Sequence, residues 1–194
     1  RFVESWKMEP LSMAVLASLT PRMHEVRFFD DRVEPIDYDA PTDLVAITAE
    51  TYTARRAYQI AARYRARGVP VVMGGYHPTL VLGEASAHAD SVVYGEAEAV
   101  WGRVIEDAAK GSLQPTYDAP PLPRTYSVRP DRSIFEGKKY MPLTLVETGR
   151  DCPFKCDFCS VTNYFKQEYR FRPAREVADE IVRTGRKRVF LVDD

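Results

Sequence analysis

Along the first 110 residues, short apolar runs alternate with helix-spaced patterns. Glu25-Val26-Arg27-Phe28-Phe29 predicts a strand that ends at Asp30-Asp31. Asp43-Leu44-Val45-Ala46-Ile47-Thr48 is mostly apolar, the pattern of a strand buried on both faces. Between Thr53 and Arg67, Ala54, Ala57, Tyr58, Ala61 and Tyr64 recur at helical spacing, and Gly68 supplies a stop. Pro70-Val71-Val72-Met73 predicts a third strand, closed by Gly74-Gly75. Ser91-Val92-Val93-Tyr94 predicts a fourth, followed by Gly95-Glu96 and a helix over about Ala97–Ala109. Before all of these, Met13, Ala14, Val15, Leu16 and Leu19 predict a helix after Pro10. Strand–helix alternation of this kind argues for an α/β fold with a doubly wound parallel sheet. In such sheets ligands bind beyond the carboxyl ends of the strands, where strand order reverses. Thr48, Gly74-Gly75 and Gly95-Glu96 all fall at such ends.

From 111 to 142 the texture changes. Pro115, Pro120, Pro121, Pro123, Pro130 and Pro142 interrupt regular structure, so the segment reads as a Pro-rich linker. Residues 143–194 then resume with a strand at Leu143–Glu147, a cysteine-containing loop, and a helix opened by Pro173. The apolar face of that helix is Ala174, Val177, Ala178, Ile181 and Val182. A further strand at Val189–Val192 ends in Asp193-Asp194. The order β-loop-α-β is the beginning of a β/α barrel, truncated here, since a full barrel takes about 250 residues.

Composition adds limits. A formal net charge of −1 gives no basic surface for nucleic acid. No apolar run approaches the roughly 20 residues that span a bilayer. The chain opens on Arg1 without a charged-then-apolar leader and stops directly after a strand-like run. It is therefore expected to be an N-terminal fragment of a cytoplasmic enzyme, with one strand missing upstream of its first helix.

The three cysteines of the chain, Cys152, Cys156 and Cys159, fall within eight residues as C-x3-C-x2-C. An odd, clustered count is a poor disulfide framework and points to metal or redox chemistry. Three thiolates in one loop can wrap a compact cofactor. Iron–sulfur clusters are held by cysteine thiolates, usually four to a 4Fe–4S centre. Three leave one position open for a substrate. A structural zinc site would need a fourth ligand, and His24, His77 and His88 are all distant in sequence.

The run Gly149-Arg150-Asp151-Cys152-Pro153-Phe154-Lys155-Cys156-Asp157-Phe158-Cys159, placed after a barrel strand, resembles the signature of the radical S-adenosylmethionine (SAM) superfamily. The resemblance implies that Cys152, Cys156 and Cys159 hold three irons of a 4Fe–4S cluster while SAM chelates the fourth. It implies that Phe158 lies near the adenine and that Asp193 or Asp194 contacts the SAM amino group. One electron would cleave the sulfonium to a 5′-deoxyadenosyl radical, with an external donor such as flavodoxin or ferredoxin supplying it. Arg170-Phe171-Arg172-Pro173 is similar to the run leading into the first barrel helix, and reads equally as a helix start with a packed aromatic.

Residues 1–110 resemble the Rossmann-like cobalamin-binding domain found ahead of many such enzymes. The matching pieces are Asp43–Thr48, Gly74-Gly75-Tyr76-His77-Pro78-Thr79 and Gly95-Glu96-Ala97-Glu98. The resemblance places Thr48, Gly74, Gly75, Gly95 and Glu96 against the cofactor, with glycines admitting close backbone approach. The D-x-H-x-x-G motif that supplies a cobalt-ligating histidine is absent, and His77 is not read as that ligand. A dinucleotide domain is discounted, because no G-x-G-x-x-G follows any strand. The methylthiotransferase branch is discounted because the front region has no cysteine. The expected activity is a cobalamin-dependent methyltransferase or related C–H-functionalising enzyme acting on a small-molecule substrate. The alternatives are a radical SAM oxidoreductase or cyclase whose front domain no longer binds cobalamin, and a non-catalytic flavodoxin-like module with a structural zinc loop.

Overall fold

A computed structural model describes residues 7–154, 156–165 and 169–193. The chain divides into two compact units. One is Asp37–Pro121; the other joins residues up to Ile36 with those from Leu122 onward. The first helix is grouped with the later part of the chain. That helix, α1 (Leu11–Leu19), buries Ala14 and Val15, and Val15 clusters with Tyr126 and Val128.

Within the Asp37–Pro121 unit, β1 (Val45–Thr48), α2 (Ala54–Arg65), β2 (Val71–Gly74), α3 (Tyr76–Leu80), α4 (Leu82–His88), β3 (Ser91–Tyr94), α5 (Trp101–Ala109) and β4 (Thr116–Asp118) follow in order. The four strands form a parallel sheet in the order β1-β2-β3-β4. Central strands β2 and β3 are continuous apolar runs, and Val71, Val72, Met73, Val92 and Val93 are buried. Each such side chain contributes about 1.5–3 kcal/mol on leaving water. β1 lies at the sheet edge and is only half-buried, not enclosed on both faces as its composition predicts. Strand order runs one way across these four strands, so none of their ends is a reversal point.

Helix α2 buries Ala54, Ala57, Ala61 and Tyr64, the face its spacing predicts. It stops at Gly68, whose φ of +74° no β-carbon obstructs, and Val69 N–H returns to the Tyr64 carbonyl at 3.1 Å. Asp90 pins the amino ends of β2 and β3. Its carboxylate accepts from Val71 N–H at 2.8 Å and from Arg65 at 3.0 Å. Helices α3 and α4 and strand β4 were not expected; the last lies inside the predicted linker. The predicted helix over Ala97–Ala109 is a 3-10 turn at Ala97–Ala99 followed by α5.

In the other unit the predicted strand at Glu25–Phe29 is absent: the segment is irregular. Its aromatics instead pack on side chains from elsewhere in the unit. The Phe28 ring meets Phe135 edge-on at 5.6 Å, and Lys138 lies 5.6 Å from the Phe28 ring. A 3-10 turn at Arg132–Phe135 precedes β5 (Thr144–Val146). Then come β6 (Gly149–Arg150), α6 (Ser160–Phe165), β7 (Arg170–Phe171), α7 (Ala174–Thr184) and β8 (Val189–Leu191). β5 pairs parallel with β8, and β6 pairs antiparallel with β7. That is the expected β-loop-α-β order.

The buried face of α7 differs from the predicted one. Val177 and Glu180 are buried, whereas Ala174, Ala178 and Val182 are exposed. Glu180 can be buried because two arginines meet it: Arg132 at 2.6 Å and Arg172 at 2.7 Å. Arg132 also reaches the buried Glu9 at 3.5 Å, and Glu9 pairs with Arg186 at 2.5 Å. Charges this deep persist only when paired. Among the described residues no helix is long and apolar enough to cross a membrane.

Candidate functional site

Two groups of predicted site residues lie at strand ends, one in each unit. In the sheet unit, Gly75 follows β2 with φ +99° and ψ −171°, a backbone conformation almost confined to glycine. A β-carbon there would stand 2.7 Å from Thr48 Oγ1 and 3.1 Å from the Ala49 carbonyl. Thr48 and Gly75 therefore meet face to face across neighbouring strand ends. Ala49 is held in place, donating to the Gly74 carbonyl at 3.0 Å and accepting from His77 N–H at 3.0 Å. On the far side, Gly95 N–H donates to the buried Thr79 hydroxyl at 3.1 Å. Gly95 adopts φ +86°, and a β-carbon would lie 3.4 Å from the Ala119 carbonyl. Thr48 is exposed, Gly74, Gly75 and Gly95 are half-buried, and Glu96 is buried. Thr48, Gly74, Gly75 and Gly95 thus stand at successive carboxyl ends of a parallel sheet, as the sequence predicts.

His77 is buried and engaged within its own unit. Its Nε2 lies 2.8 Å from the Tyr58 hydroxyl and its Nδ1 3.4 Å from Thr51 Oγ1. Burial, reinforced by Glu84, pushes the Tyr58 hydroxyl up to about 12. Burial also raises the Glu50 carboxyl, an effect His77 partly offsets. With both ring nitrogens so placed, His77 serves the packing of α2 on the strand-end loop.

In the other unit, the cysteine loop starts at the carboxyl end of β5. β6 and β7 close its base: Gly149 pairs with Phe171 and Arg150 with Arg170. Gly149 is required there, because a β-carbon would lie 2.8 Å from the Arg170 carbonyl. Asp151 takes φ +73°, is fully buried, and its carboxylate accepts from Cys152 N–H at 2.7 Å. Asp tolerates this left-handed region better than most residues, because its short side chain bonds to nearby backbone. Glu147 accepts from Arg150 Nε at 2.8 Å and also from the Tyr126 hydroxyl, which burial and then Glu147 push upward.

Cys152 and Cys159 are half-buried and Cys156 is exposed; none of the three is in a disulfide. Cys159 N–H returns to the Cys156 carbonyl at 3.0 Å, a tight turn that brings those two positions together. Among the described residues no three His, Cys, Asp or Glu side chains are gathered at metal-binding distance. Three thiols on one loop nonetheless suit an iron–sulfur cluster, which cysteine thiolates hold. Phe154 and Phe158 are 69% and 91% exposed, so both aromatics are presented outward beside the thiols. Asp194 lies outside the described residues. Asp193 is placed differently from the expected cosubstrate contact: its carboxylate accepts from Thr148 N–H at 2.7 Å and Gly149 N–H at 3.0 Å, and from the Thr148 hydroxyl. Sequence reasoning did not single out Thr148, Glu147, Tyr126 or Asp151. Only Asp151, a polar residue directly before the first cysteine, gave a local signal.

No protein-family model matches the chain. It is 35% identical over 182 residues to the bacteriochlorophyllide d C-8(2)-methyltransferase of Chlorobaculum tepidum, covering 88% of this chain and 40% of that protein. It is 36% identical over 192 residues to the bacteriochlorophyllide d C-12(1)-methyltransferase of the same organism, covering 93% and 42%. The chain thus spans about two fifths of the length of these relatives. Its fold is shared with the radical SAM methyltransferase TsrM of Kitasatospora setae, solved with cobalamin and a [4Fe-4S] cluster bound. The TM-score is 0.75 at 15% identity, covering 97% of this chain and 46% of that one.

Proposed function

We propose that the chain belongs to the radical SAM enzymes that carry a cobalamin-binding-type domain, and that its protein is a cobalamin-dependent methyltransferase acting on a small-molecule substrate in the cytoplasm; its likeness to two methyltransferases and its fold support this reading. One observation carries this reading: three cysteines, none in a disulfide, share one loop at the carboxyl end of a parallel strand. Barrel enzymes place their chemistry at that end. Cys152, Cys156 and Cys159 would hold a 4Fe–4S cluster. When bound, such a cluster supplies the single electron that cleaves SAM reductively, an external donor such as flavodoxin or ferredoxin replenishing it.

The chain's own residues prepare the site. β6 and β7 fix both ends of the loop, and Asp151 turns the backbone immediately before Cys152. Phe158 offers a flat apolar face on which an adenine can stack, and its exposure leaves that face accessible. In the sheet unit, Thr48 would donate to cobalamin, while Gly74, Gly75 and Gly95 let backbone approach it closely and Glu96 flanks them. These strand ends fit an extended cofactor, because Thr48 is exposed and the glycines are open to solvent in part. With His77 engaged by Tyr58 and Thr51, cobalt would take no histidine from this loop. The domain reading that accompanies this is a cobalamin-type region within 1–110, a linking segment over 111–142, and the first barrel units over 143–194.

Anaerobic reconstitution with iron and sulfide tests the proposal. Broad visible absorption is expected, perturbed by SAM and abolished in Cys152→Ala, Cys156→Ala and Cys159→Ala. Hydroxocobalamin is expected to co-elute with the protein. Retained zinc without that absorption would favour a structural zinc loop, and absorption without cobalamin retention would favour an oxidoreductase or cyclase.

A further inference from the structure

Beyond the last residue of β8, Val192 N–H continues the ladder to the Val146 carbonyl at 3.0 Å. The next residue leaves it. Asp193 turns its carboxylate onto the peptide that begins the cysteine loop, with Oδ1 accepting from two successive amides, Thr148 at 2.7 Å and Gly149 at 3.0 Å. Oδ2 accepts from the Thr148 hydroxyl. From the other side, Arg172 N–H donates to the Thr148 carbonyl at 2.8 Å. Thr148 therefore has its N–H, C=O and hydroxyl all fixed, by residues that follow it by 24 to 45 positions. Hydrogen bonds to an ionised carboxylate are about twice as strong as neutral ones. Three donors thus converge on one carboxylate at the start of the loop.

We infer that Asp193 is a positioning residue: it anchors the start of the cysteine loop to the end of β8 and so fixes the point from which Cys152 is presented. This rests on reading the loop as the cluster site. An acidic residue after this strand would otherwise be assigned to the cosubstrate's ammonium group. Here three of the carboxylate's roughly four acceptor sites are taken by Thr148 and Gly149. The chain from Thr148 to Cys152 is short and ordered by β6 and by the Asp151 turn, so displacement at Thr148 is transmitted to the first thiol.

Hydrogen exchange on the full-length, metal-free protein separates the two roles. Asp193→Ala is expected to accelerate exchange at the Thr148 and Gly149 amides by about tenfold or more, as loss of a charge-assisted bond implies. Amides of β2 and β3 should be unchanged. In the reconstituted protein, the same variant should lose iron to a chelator faster, while the affinity of the remaining loaded fraction for SAM stays within about twofold of the parent. Unchanged exchange together with weakened SAM binding would overturn the inference. Should Asp193→Ala fail to fold, Thr148→Val removes only the hydroxyl bond and is read the same way: faster exchange at Gly149 supports the anchor, and unaltered exchange refutes it. If the parent protein takes up no cluster, the functional reading fails, while exchange on the metal-free protein still decides the role of Asp193.

Discussion

Replacing Gly75 with alanine tests how tightly the two strand ends of the sheet unit are locked together. Two costs add. The native φ of +99° with ψ near −171° is a region L-residues rarely enter, worth about 1–3 kcal/mol. The new methyl would also lie 2.7 Å from Thr48 Oγ1, 3.1 Å from the Ala49 carbonyl and 3.2 Å from the Ala49 nitrogen. Thr48 can turn away, but Ala49 cannot easily move, because Gly74 and His77 hold it by hydrogen bonds on both sides. Overpacking of that kind costs about 1–3 kcal/mol. A destabilisation of about 2–6 kcal/mol follows, a large share of a typical domain's stability. Gly74→Ala is the control. Its methyl would meet only Val93, at 3.7 and 3.8 Å, and should cost less than about 1 kcal/mol. Adding Thr48→Ala to Gly75→Ala should restore no more than about 1 kcal/mol, since the backbone clash and the φ strain remain. Urea unfolding followed by the fluorescence of Trp101, buried in this unit, reads all three. A Gly75→Ala protein within about 0.5 kcal/mol of the parent, or one more stable than Gly74→Ala, would refute the reasoning.

Three further outcomes are expected. Glu180→Ala leaves Arg132 and Arg172 facing each other across a buried vacancy, and should lower stability by about 3–5 kcal/mol in thermal or urea unfolding; a loss under about 1 kcal/mol would show that the arginines find other partners. Asp151→Ala loses both the bond to Cys152 N–H and the residue type suited to φ +73°, costing about 1–2 kcal/mol, whereas Asp151→Gly should cost less; the reverse order would remove the turn from the account. At Asp30, burial raises the carboxyl, but hydrogen bonds from Arg32 and Tyr140 outweigh it and hold the group below its ordinary 3.8. A depressed folded value means that its stabilisation is complete above 3.8 and is lost as pH falls through the lower folded value. Urea midpoints measured through that range should therefore fall less steeply in Asp30→Asn than in the parent.

The central strands were legible because β2 and β3 are buried on both faces, so burial alone writes them as unbroken apolar runs. Helix α2 was legible from its alanine and tyrosine spacing. Glu25–Phe29 carries the same kind of apolar signal yet forms no strand, since a strand exists only with a hydrogen-bonding neighbour, and side-chain packing on Phe135 and Lys138 took that place. Helix α3 was hidden by Pro78, which reads as a breaker but is tolerated in the first turn, where amides lack intrahelical partners. Strands of two residues, such as β6 and β7, are too short for any periodicity. At the site, the cysteine spacing is local and could be read directly. The grip of Asp193 on Thr148 spans 45 residues and leaves no local trace.

The two-residue ladder between β6 and β7 brings Arg150 and Arg170 side by side, so the chain leaves and rejoins the scaffold at one point. The cysteine segment is thus a loop whose two ends are already tethered. Its chain-closure entropy is spent during folding of the scaffold, leaving thiol convergence to cost only local rearrangement. Because such an entropic penalty grows only with the logarithm of loop size, the pairing at the base matters more to that convergence than the length of the connection does.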